Sequence, residues 1–371
     1  MQSAPGPRAL ISDRWRDYFS GTGYLGLQGH PGIVEAATAA LQQYGLTTAT
    51  SRGGYGEHPV FHAVESAAAR FFGEERALYT VSAYLGSGIL LQGLSGEYDR
   101  VYLDDAAHFS VREAAAASAR PTHTFHHRDA DALRATLVAT LAPGERPIVL
   151  TDGVFPISGE IAPHIDYISV LSQYGGAILC IDDAHATGVV GSRGRGSLEH
   201  CAGQVTSHSL GPNAVRCYTA HTLSKALAGH GGVIAGPSDF IAQLWRNARA
   251  LSGSSPSPIP AAAASAWSLS YLYEHGELRE QLWSNVRRAK EGFRKLGWDL
   301  PDTPVPIICL AARPGLDLAR IQQELFARDL CVTHVTRYSS TPHGGALRVA
   351  IFATHTGEQI DRLARAVGEL V

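Results

Sequence analysis

One lysine of this chain stands in a setting suited to covalent chemistry with a carbonyl compound. The chain has three lysines among its 371 residues, and two of them, Lys290 and Lys295, lie in the run RRAKEGFRKLGW, which predicts solvated positions on a helix face. Lys225 instead follows the β-branched and hydroxyl residues of CYTAHT and precedes the glycine-rich stretch ALAGHGG. Such a stretch forms tight connections and leaves room for a bulky ligand beside the amine. We therefore predict that Lys225 forms a Schiff base, with an ordinary surface lysine as the alternative.

Two carboxylates, Asp182 and Asp183, end an apolar run upstream of this lysine, and His185 follows them. The run, residues 177–181, predicts a buried strand. A carboxylate at the end of a buried strand is costly unless it meets a cation. The protonated pyridine nitrogen of pyridoxal 5′-phosphate (PLP) is such a cation, and its protonation makes the ring an electron sink. We interpret this segment as part of a cofactor site, with a simple strand-end turn as the alternative.

Three more segments repeat the pattern of a strand followed by polar or small residues. Ser82-Ala83-Tyr84 precedes a small-residue helix start, an arrangement that offers free backbone N–H groups to a phosphate. His108 follows a second strand-like run, where its imidazole can lie on the face of a cofactor ring. Asp152 and a loop containing Pro156 follow a third strand-like run. Open α/β sheets bind ligands at the carboxyl ends of their strands, so we expect these segments to converge.

These segments belong to an alternation of predicted helices and strands. Residues 33–44 and 62–72 have helical apolar spacing, and Gly45 and Gly73 are suited to end these helices. After Pro260 an alanine-rich run predicts a long helix that links two domains. The C-terminal part then shows an α+β pattern.

Four segments together resemble the α-oxoamine synthases, which are PLP enzymes of fold type I. They are YLGL from Tyr24, DDAHATGVVGSRGRGSLE from Asp182, TLSKALAGHGG from Thr222 and SGSSPSPIPAAAASA from Ser252. The resemblance runs from about Tyr24 to the C-terminus, and DDAH followed by TLSK at this separation is specific. The family includes 8-amino-7-oxononanoate synthase, glycine C-acetyltransferase, 5-aminolevulinate synthase and serine palmitoyltransferase.

The resemblance implies an α/β fold with two domains. The large domain has a mainly parallel seven-stranded sheet between helices, and the C-terminal domain is smaller and α+β. We place an N-terminal arm at residues 1–40, the large PLP-binding domain at 41–270 and the small domain at 271–371. A homodimer with shared active sites is also implied, because Ser255 matches a position that reaches the phosphate of the neighbouring subunit.

The same resemblance gives each cofactor-site residue a role. Lys225 carries the Schiff base, Asp182 contacts the pyridine nitrogen, and His108 stacks on the ring. His185 lies near the phenolic oxygen of the ring. The residues implied to bind the phosphate are Ser82, Ala83, Tyr84, Thr222 and, from the neighbouring subunit, Ser255.

Several positions depart from the family pattern, mostly on the expected substrate side. Pro156 stands where the family has a serine, so a hydroxyl donor is lost. Thr22 stands near the position of a substrate-binding asparagine. For the substrate carboxylate, the resemblance favours Arg337, with Arg348 as the alternative. Arg52, in a glycine-rich loop, is a further candidate for contact with an anionic substrate, with an ordinary exposed arginine as the alternative.

The resemblance implies an enzyme that acts on an amino acid through a quinonoid carbanion. The favoured reaction is decarboxylative condensation with an acyl thioester, carried by coenzyme A or a carrier protein, to give an α-amino ketone. Because Pro156 and its neighbours alter the substrate side, an aminotransferase, a racemase or a β- or γ-substitution enzyme on the same fold is the alternative. A non-catalytic scaffold is disfavoured because the cofactor-site residues are all present.

Composition argues against several other classes of protein. The net charge is −3 and lysine is rare, so we expect no nucleic-acid partner. No apolar run reaches the roughly 18 residues of a membrane helix, and the N-terminal MQSAPGPRALISDRW lacks the apolar core of a signal peptide. We therefore expect a cytoplasmic enzyme with no membrane partner. The five scattered cysteines predict free, mostly buried thiols, and the histidine spacing predicts no metal site.

Overall fold

The computed structural model describes residues 1–203 and 215–371. The strands in this part of the chain are β1 (Arg8–Ile11), β2 (Arg14–Tyr18), β3 (Arg76–Thr80), β4 (Arg100–Asp104), β5 (Thr122–Phe125), β6 (Pro147–Asp152), β7 (Ile178–Asp182), β8 (Arg216–Thr222), β9 (Gly232–Gly236), β10 (Ile307–Ala311), β11 (Leu330–Cys331), β12 (Thr333–Val335) and β13 (Ala346–Ala350). The helices are α1 (Pro31–Tyr44), α2 (Pro59–Phe72), α3 (Gly86–Gly93), α4 (Phe109–Ala117), α5 (Ala130–Thr140), α6 (His164–Leu171), α7 (Ser197–Ala202), α8 (Ser238–Asn247), α9 (Ile259–Glu274), α10 (Glu277–Lys295), α11 (Leu318–Ala327) and α12 (Gly357–Gly368).

The central sheet has seven strands in the order β3-β9-β8-β7-β6-β4-β5. The five strands from β8 to β5 in this order are parallel, whereas β9 pairs antiparallel with both β8 and β3. The register aligns Asp152 at the end of β6 with Asp182 at the end of β7, and Asp182 with Ala220 in β8. The carboxyl ends of three neighbouring strands therefore meet at one edge of the sheet.

Helices cover both faces of this sheet. Successive strand residues point to opposite faces, so in β6 the side chains of Ile148 and Leu150 join one buried cluster with α3, α4 and α8. The side chain of Val149 points to the opposite face and joins a second buried cluster with α5 and α6. Strands buried on both faces read as continuous apolar runs, which is why the strand predictions succeed here. The prediction of a mainly parallel seven-stranded sheet between helices is confirmed.

The two ends of the chain form smaller sheets. β10, β13 and β12 pair antiparallel in that order, and α12 packs against α10. The N-terminal hairpin of β1 and β2 is extended by β11, which pairs parallel with β2. The start of the predicted arm thus shares a sheet with a strand near the C-terminus, and α1 crosses residue 40. The domain boundaries at 40 and 270 stay predictions.

Helices α1 and α2 begin and end by the same local rules. The imidazoles of His30 and His58 each accept a hydrogen bond from the backbone N–H two residues later, at 3.1 and 3.2 Å. A proline follows each histidine, and proline suits the first helical position because that residue has no partner for an N–H. Gly45 and Gly73 end the helices with φ of 74°, a region that favours glycine. Both predicted helix ends are confirmed.

The expectation of a solvated Lys290 is wrong. Only 2% of this residue is exposed, and its Nζ donates to the carbonyl oxygens of Pro301 at 3.0 Å and Thr303 at 2.7 Å. Burial lowers the pKa of the amine to about 8. The charged face of α10 gives no sign that the following loop covers one of its lysines. Lys295 is exposed, as predicted.

Within residues 1–203 and 215–371, no helix combines the length and the apolar character needed to cross a membrane. The five cysteine thiols are free, and those of Cys180, Cys217 and Cys331 are buried. The prediction of free, mostly buried thiols is confirmed.

Candidate active site

A cavity of about 390 Å³ lies at the carboxyl edge of the central sheet. Its walls combine residues that follow the ends of β3, β4, β6, β7 and β8 with two side chains from the C-terminal part, Tyr338 and Arg348. Asp152 and Pro156 also line it, as the strand pattern predicts. The predicted site residues that this cavity brings together are Thr22, Ser82, Ala83, Tyr84, His108, Asp182, His185, Thr222 and Lys225.

Lys225 lies just beyond the end of β8, and its backbone carbonyl accepts a hydrogen bond from Gln28 Nε2 at 2.9 Å. Burial lowers the pKa of its amine to about 8, although the charges of Asp182 and Asp152 act in the opposite direction. A larger fraction of the amine is therefore uncharged near neutral pH than at the ordinary pKa of 10.5. The uncharged form has the lone pair needed to attack a carbonyl carbon.

Asp182 and Asp152 lie side by side at the ends of β7 and β6. Asp182 accepts a hydrogen bond from the backbone N–H of Ala184 at 3.1 Å, and Ser110 Oγ lies 3.3 Å from its carboxylate. Asp152 is buried and accepts one from the backbone N–H of His108 at 2.9 Å. Burial and the charge of Asp182 raise the pKa of Asp152 well above its ordinary value. A cation bound beside Asp182 would relieve this repulsion.

Asp183, the second carboxylate of the pair, faces away from the cavity and fixes the loop that follows. It is fully buried and accepts hydrogen bonds from the backbone N–H and the hydroxyl of Ser197. Burial raises the pKa of Asp183 to about 7 against these hydrogen bonds. Gly196 has φ of 120°, and a Cβ there would collide with the Asp183 carboxylate, so this turn requires glycine.

The ring of His108 has a defined protonation state. Its Nδ1 accepts a hydrogen bond from the backbone N–H of Ser110 at 3.2 Å and lies 2.7 Å from the Ser110 hydroxyl. Because a backbone N–H can only donate, Nδ1 carries no proton, and the hydroxyl donates to it. Burial lowers the pKa of His108 against the opposing charge of Asp182, so the ring is neutral with its proton on Nε2. Nε2 lies 2.8 Å from the hydroxyl of Tyr338.

A buried chain of hydrogen bonds runs from Arg348 through Tyr24 to His185. Arg348 Nη2 donates to the Tyr24 hydroxyl at 3.1 Å, and that hydroxyl lies 2.8 Å from His185 Nδ1. Because Arg348 can only donate, the tyrosine proton is free to point to Nδ1. Burial, followed by the charges of Lys225 and Arg348, lowers the pKa of His185 well below its ordinary value. His185 is therefore neutral, and donation from the Tyr24 hydroxyl to Nδ1 would place the proton of its ring on Nε2.

Hydroxyl and amide donors lie on the β3 side of the cavity. Ser82 Oγ accepts a hydrogen bond from the backbone N–H of Tyr84 at 3.2 Å, at the start of a 3₁₀ turn, Ala83–Leu85, that leads into α3. The hydroxyls of Thr222 and Ser224 lie 2.9 Å apart at the end of β8. Donors of these kinds, next to a helix N-terminus, bind phosphate groups.

The structure brings Arg348, and not Arg337, to the cavity wall. Arg337 is exposed in the loop between β12 and β13. Arg348 lies within β13, where Leu347 and Val349 pack into the core and leave the residue between them on the opposite face. This alternation was the available signal for Arg348. Tyr24 and Tyr338 were not predicted as site residues, because an apolar motif and an irregular loop indicate no chemistry.

Arg52 and Ser255 lie together along a second, smaller cavity. Arg52 pairs with Glu57 and Glu65, each at 2.6 Å, so carboxylates of the chain itself engage its guanidinium. Ser255 is exposed. Neither residue lines the central cavity, so their roles toward substrate and phosphate stay predictions.

The donors of the central cavity fit PLP group by group. The Lys225 amine can react with the aldehyde, and the Asp182 carboxylate can pair with the pyridine nitrogen. The donors around Ser82 and Thr222 can bind the phosphate. His108 offers a neutral ring at the wall. A cavity of about 390 Å³ is within the usual range for sites that enclose a ligand of this size.

Comparison with known proteins agrees with this fit. Residues 20–367 match the sequence model of aminotransferase class I and II. The chain belongs to this family. It is 33% identical over 371 residues to 8-amino-7-oxononanoate synthase of Methylococcus capsulatus, with 100% of this chain and 93% of that protein covered. It is 32% identical over 362 residues to a putative 8-amino-7-oxononanoate synthase of Desulforudis audaxviator, with 98% and 91% covered.

Solved structures of similar proteins share the fold. A serine palmitoyltransferase from S. paucimobilis, solved with a bound PLP–myriocin aldimine, has a TM-score of 0.89 and 26% identity, and the match covers 100% of this chain and 91% of that one. The 8-amino-7-oxononanoate synthase of Francisella tularensis has a TM-score of 0.77 at 20% identity over 95% and 96% of the two chains, which shows the fold alone. The predicted resemblance to α-oxoamine synthases of fold type I is confirmed.

This family member is a PLP-dependent enzyme, and the cofactor prediction is confirmed. When bound, PLP supplies an electron-poor ring that accepts the electron pair left at the α-carbon of an amino acid. The roles of the individual residues toward the cofactor stay predictions, which the arrangement of the cavity supports.

Proposed function

We propose that the enzyme condenses an amino acid with an acyl thioester, with loss of carbon dioxide, to give an α-amino ketone. The observation that carries the proposal is one cavity that holds the Lys225 amine, the adjacent carboxylates Asp152 and Asp182, and the buried guanidinium of Arg348. Relatives named 8-amino-7-oxononanoate synthase and serine palmitoyltransferase support this reaction class.

Lys225 is the group proposed to move the α-proton of the substrate. Its pKa of about 8 allows the amine to accept a proton and to return it near neutral pH. Asp182 would hold the pyridine nitrogen of PLP in its protonated form, and neutral His108 would flank the ring. Neutral His185 would donate from Nε2 toward the phenolic oxygen, since Tyr24 fixes its Nδ1.

Arg348 is proposed to bind the substrate carboxylate. Its Nε donates to the carbonyl oxygen of Pro156 at 2.7 Å and Nη1 donates to that of Gly21 at 3.0 Å. These bonds and the bond to Tyr24 hold the guanidinium rigidly, while each terminal nitrogen keeps a second N–H. Held in this way, Arg348 needs little reordering to bind an anion.

The bond changes of the proposed reaction balance without an oxidant. The bond between the α-carbon and the carboxylate breaks, carbon dioxide leaves, and the α-carbon bonds to the acyl carbon of the thioester. The carbon–sulfur bond breaks, and the released thiolate takes up a proton. The thioester partner is proposed to be an acyl group on coenzyme A or on a carrier protein.

The proposed assembly is a cytoplasmic homodimer with shared active sites. Ser255 is exposed outside the central cavity of its own chain, which supports a role in the phosphate site of a second copy. No nucleic-acid or membrane partner is proposed.

A panel of amino acids with and without acyl-coenzyme A tests the function. We expect each accepted amino acid to shift the absorbance of the holoenzyme by itself, and free thiol to appear only when an acyl thioester is added. Racemised substrate or a keto acid formed without thioester would instead identify a racemase or an aminotransferase.

A further inference from the structure

Tyr338 places a phenol at the mouth of the active-site cavity. It lies in the loop between β12 and β13, and 41% of the residue is exposed. Its ring packs edge-on against Phe109, with centroids 5.3 Å apart. Its hydroxyl lies 2.8 Å from His108 Nε2, so a side chain of the C-terminal part meets one that follows β4.

The hydrogen bond to His108 leaves the proton of the phenol unused. Nδ1 of His108 accepts from a backbone N–H, so the proton of the neutral ring is on Nε2 and points to the Tyr338 oxygen. The tyrosine oxygen is therefore an acceptor in this bond, and its O–H can donate elsewhere. Burial, followed by the charge of Asp152, raises the pKa of Tyr338, so the phenol keeps this proton.

The charges of the cavity determine where an anionic group can bind. Asp152 and Asp182 make one part of it repulsive to anions. Arg348 supplies positive charge to the same cavity, and this charge lowers the pKa of Tyr338, whereas the charges of Asp152 and Asp182 raise it. Tyr338 and Arg348 also belong to one segment of the chain, since β13, which contains Arg348, directly follows the loop that contains Tyr338. Two donors from one segment of the chain thus line the same cavity, and of these two Arg348 carries the positive charge that attracts a carboxylate.

We propose that Tyr338 is a substrate-binding residue that donates a hydrogen bond from its hydroxyl to the carboxylate of the amino acid, beside Arg348. Three of the five N–H groups of Arg348 are engaged by Pro156, Gly21 and Tyr24, so a second donor adds to what the guanidinium provides. The inference rests on the proposed function only in that the substrate is an amino acid.

The test pairs a change in the protein with a change in the ligand. The probes are the standard amino acid that binds most tightly to the wild-type holoenzyme and the amine that lacks only its carboxylate, each titrated by absorbance. Tyr338→Phe should raise the dissociation constant of the amino acid roughly ten- to a hundredfold, because a hydrogen bond to a charged group is lost. The same substitution should leave the dissociation constant of the amine within about twofold of the wild-type value.

Tyr273→Phe is the matched control, because Tyr273 is 46% exposed on α9, away from the cavity. It should change neither constant. Equal loss of affinity for amino acid and amine, no loss for the amino acid, or an effect confined to the KM of the thioester would overturn the inference. The titrations need no acyl transfer, so a wild-type enzyme that binds amino acids but forms no ketone would reject the proposed reaction alone.

Discussion

The reactivity of Lys225 depends on two opposing influences. Burial favours the uncharged amine, whereas the charges of Asp182 and Asp152 favour the ammonium. Burial dominates and lowers the pKa from an ordinary 10.5 to about 8. Since only the uncharged amine attacks an aldehyde, this balance controls how fast the protein takes up its cofactor.

The rate of PLP uptake by the cofactor-free protein should rise with pH and level off above about 8. Stopped-flow absorbance measures it, and borohydride reduction followed by peptide mapping locates the adduct. Lys225→Ala should abolish the reducible adduct with the fold intact, and the exposed Lys295→Met should retain it. An adduct at Lys290 or Lys295, or a rate still rising at pH 10, would contradict the assignment.

Asp182→Asn and Asp183→Asn should have different consequences. The first removes the charge proposed to face the pyridine nitrogen and should lower kcat at least about a hundredfold with little change in Tm. The second disturbs a buried carboxylate bonded to Ser197, so it should lower the Tm. Steady-state kinetics and thermal unfolding of both variants measure this, and near-normal turnover of Asp182→Asn would show that another acid serves the nitrogen.

Arg348→Gln should weaken amino-acid binding roughly tenfold or more, because a charged donor to the carboxylate is lost. Arg337→Gln, which alters an exposed arginine, should leave the dissociation constant of the amino acid within about twofold of the wild-type value. Titration of the two holoenzyme variants with the same amino acid compares them. The reverse order of effects would restore Arg337 as the carboxylate ligand.

Sequence was sufficient for residues whose type and place at a strand end both indicate chemistry. Lys225, Asp182 and His108 meet this condition, and the structure gathers them in one cavity. It was insufficient where side-chain direction decides, as for Arg348, or where a distant segment supplies the partner, as for Tyr338. Contacts between residues so far apart in the chain leave no periodic signal.

At the scale of elements, the loop after β5 is fastened to the end of β4. His127 Nδ1 lies 2.9 Å from Asp104, and its Nε2 lies 3.7 Å from Glu160. Burial lowers the pKa of His127, but the hydrogen bond to Asp104 and the nearby carboxylate of Glu160 outweigh it and raise the pKa to about 9. Because the folded pKa lies above the ordinary 6.5, this contribution to stability is complete below pH 6.5 and is lost as the pH rises through 9.

His127→Gln should therefore lower the free energy of unfolding at pH 6, and its difference from the wild type should shrink as the pH rises above 9. Denaturant unfolding at both pH values measures this. His126→Gln is the matched control, because the His126 side chain is 76% exposed. A difference that does not change with pH would show that the ion pair is not its source.

Elements with a strong local pattern were predictable, and those defined by long-range pairing were not. The alanine-rich run forms a long helix, α9, as predicted, and this helix begins at Ile259, so that Pro260 lies in its first turn. The sheet that joins β2 to β11 pairs residues more than 300 positions apart, and nothing local in either short strand indicates the other.

At the scale of the whole molecule, the central proposal about assembly is that two chains share each active site. Lys225 lines the central cavity, whereas Ser255 lies along a separate one. If Ser255 serves the phosphate of a second copy, two defects placed on different chains can be separated within a mixed dimer.

Mixing Lys225→Ala with Ser255→Asp chains, each inactive alone, should restore about one quarter of wild-type activity. Random exchange makes about half of the dimers mixed, and each mixed dimer has one intact site of two. Unmixed chains of each variant are the control. No recovery despite proven subunit exchange would show that Lys225 and Ser255 of one chain serve the same active site. A fully active monomer in sedimentation would contradict the proposed dimer.

The most direct measurement of the central claim is the product balance with a carboxyl-labelled amino acid. The purified holoenzyme is given the amino acid, labelled with ¹³C at its carboxylate, together with an acyl-coenzyme A. We predict that labelled carbon dioxide, free thiol and an unlabelled α-amino ketone form in equal amounts, and that none forms without thioester. Sustained turnover of the amino acid with the label retained and no thiol released would contradict the account.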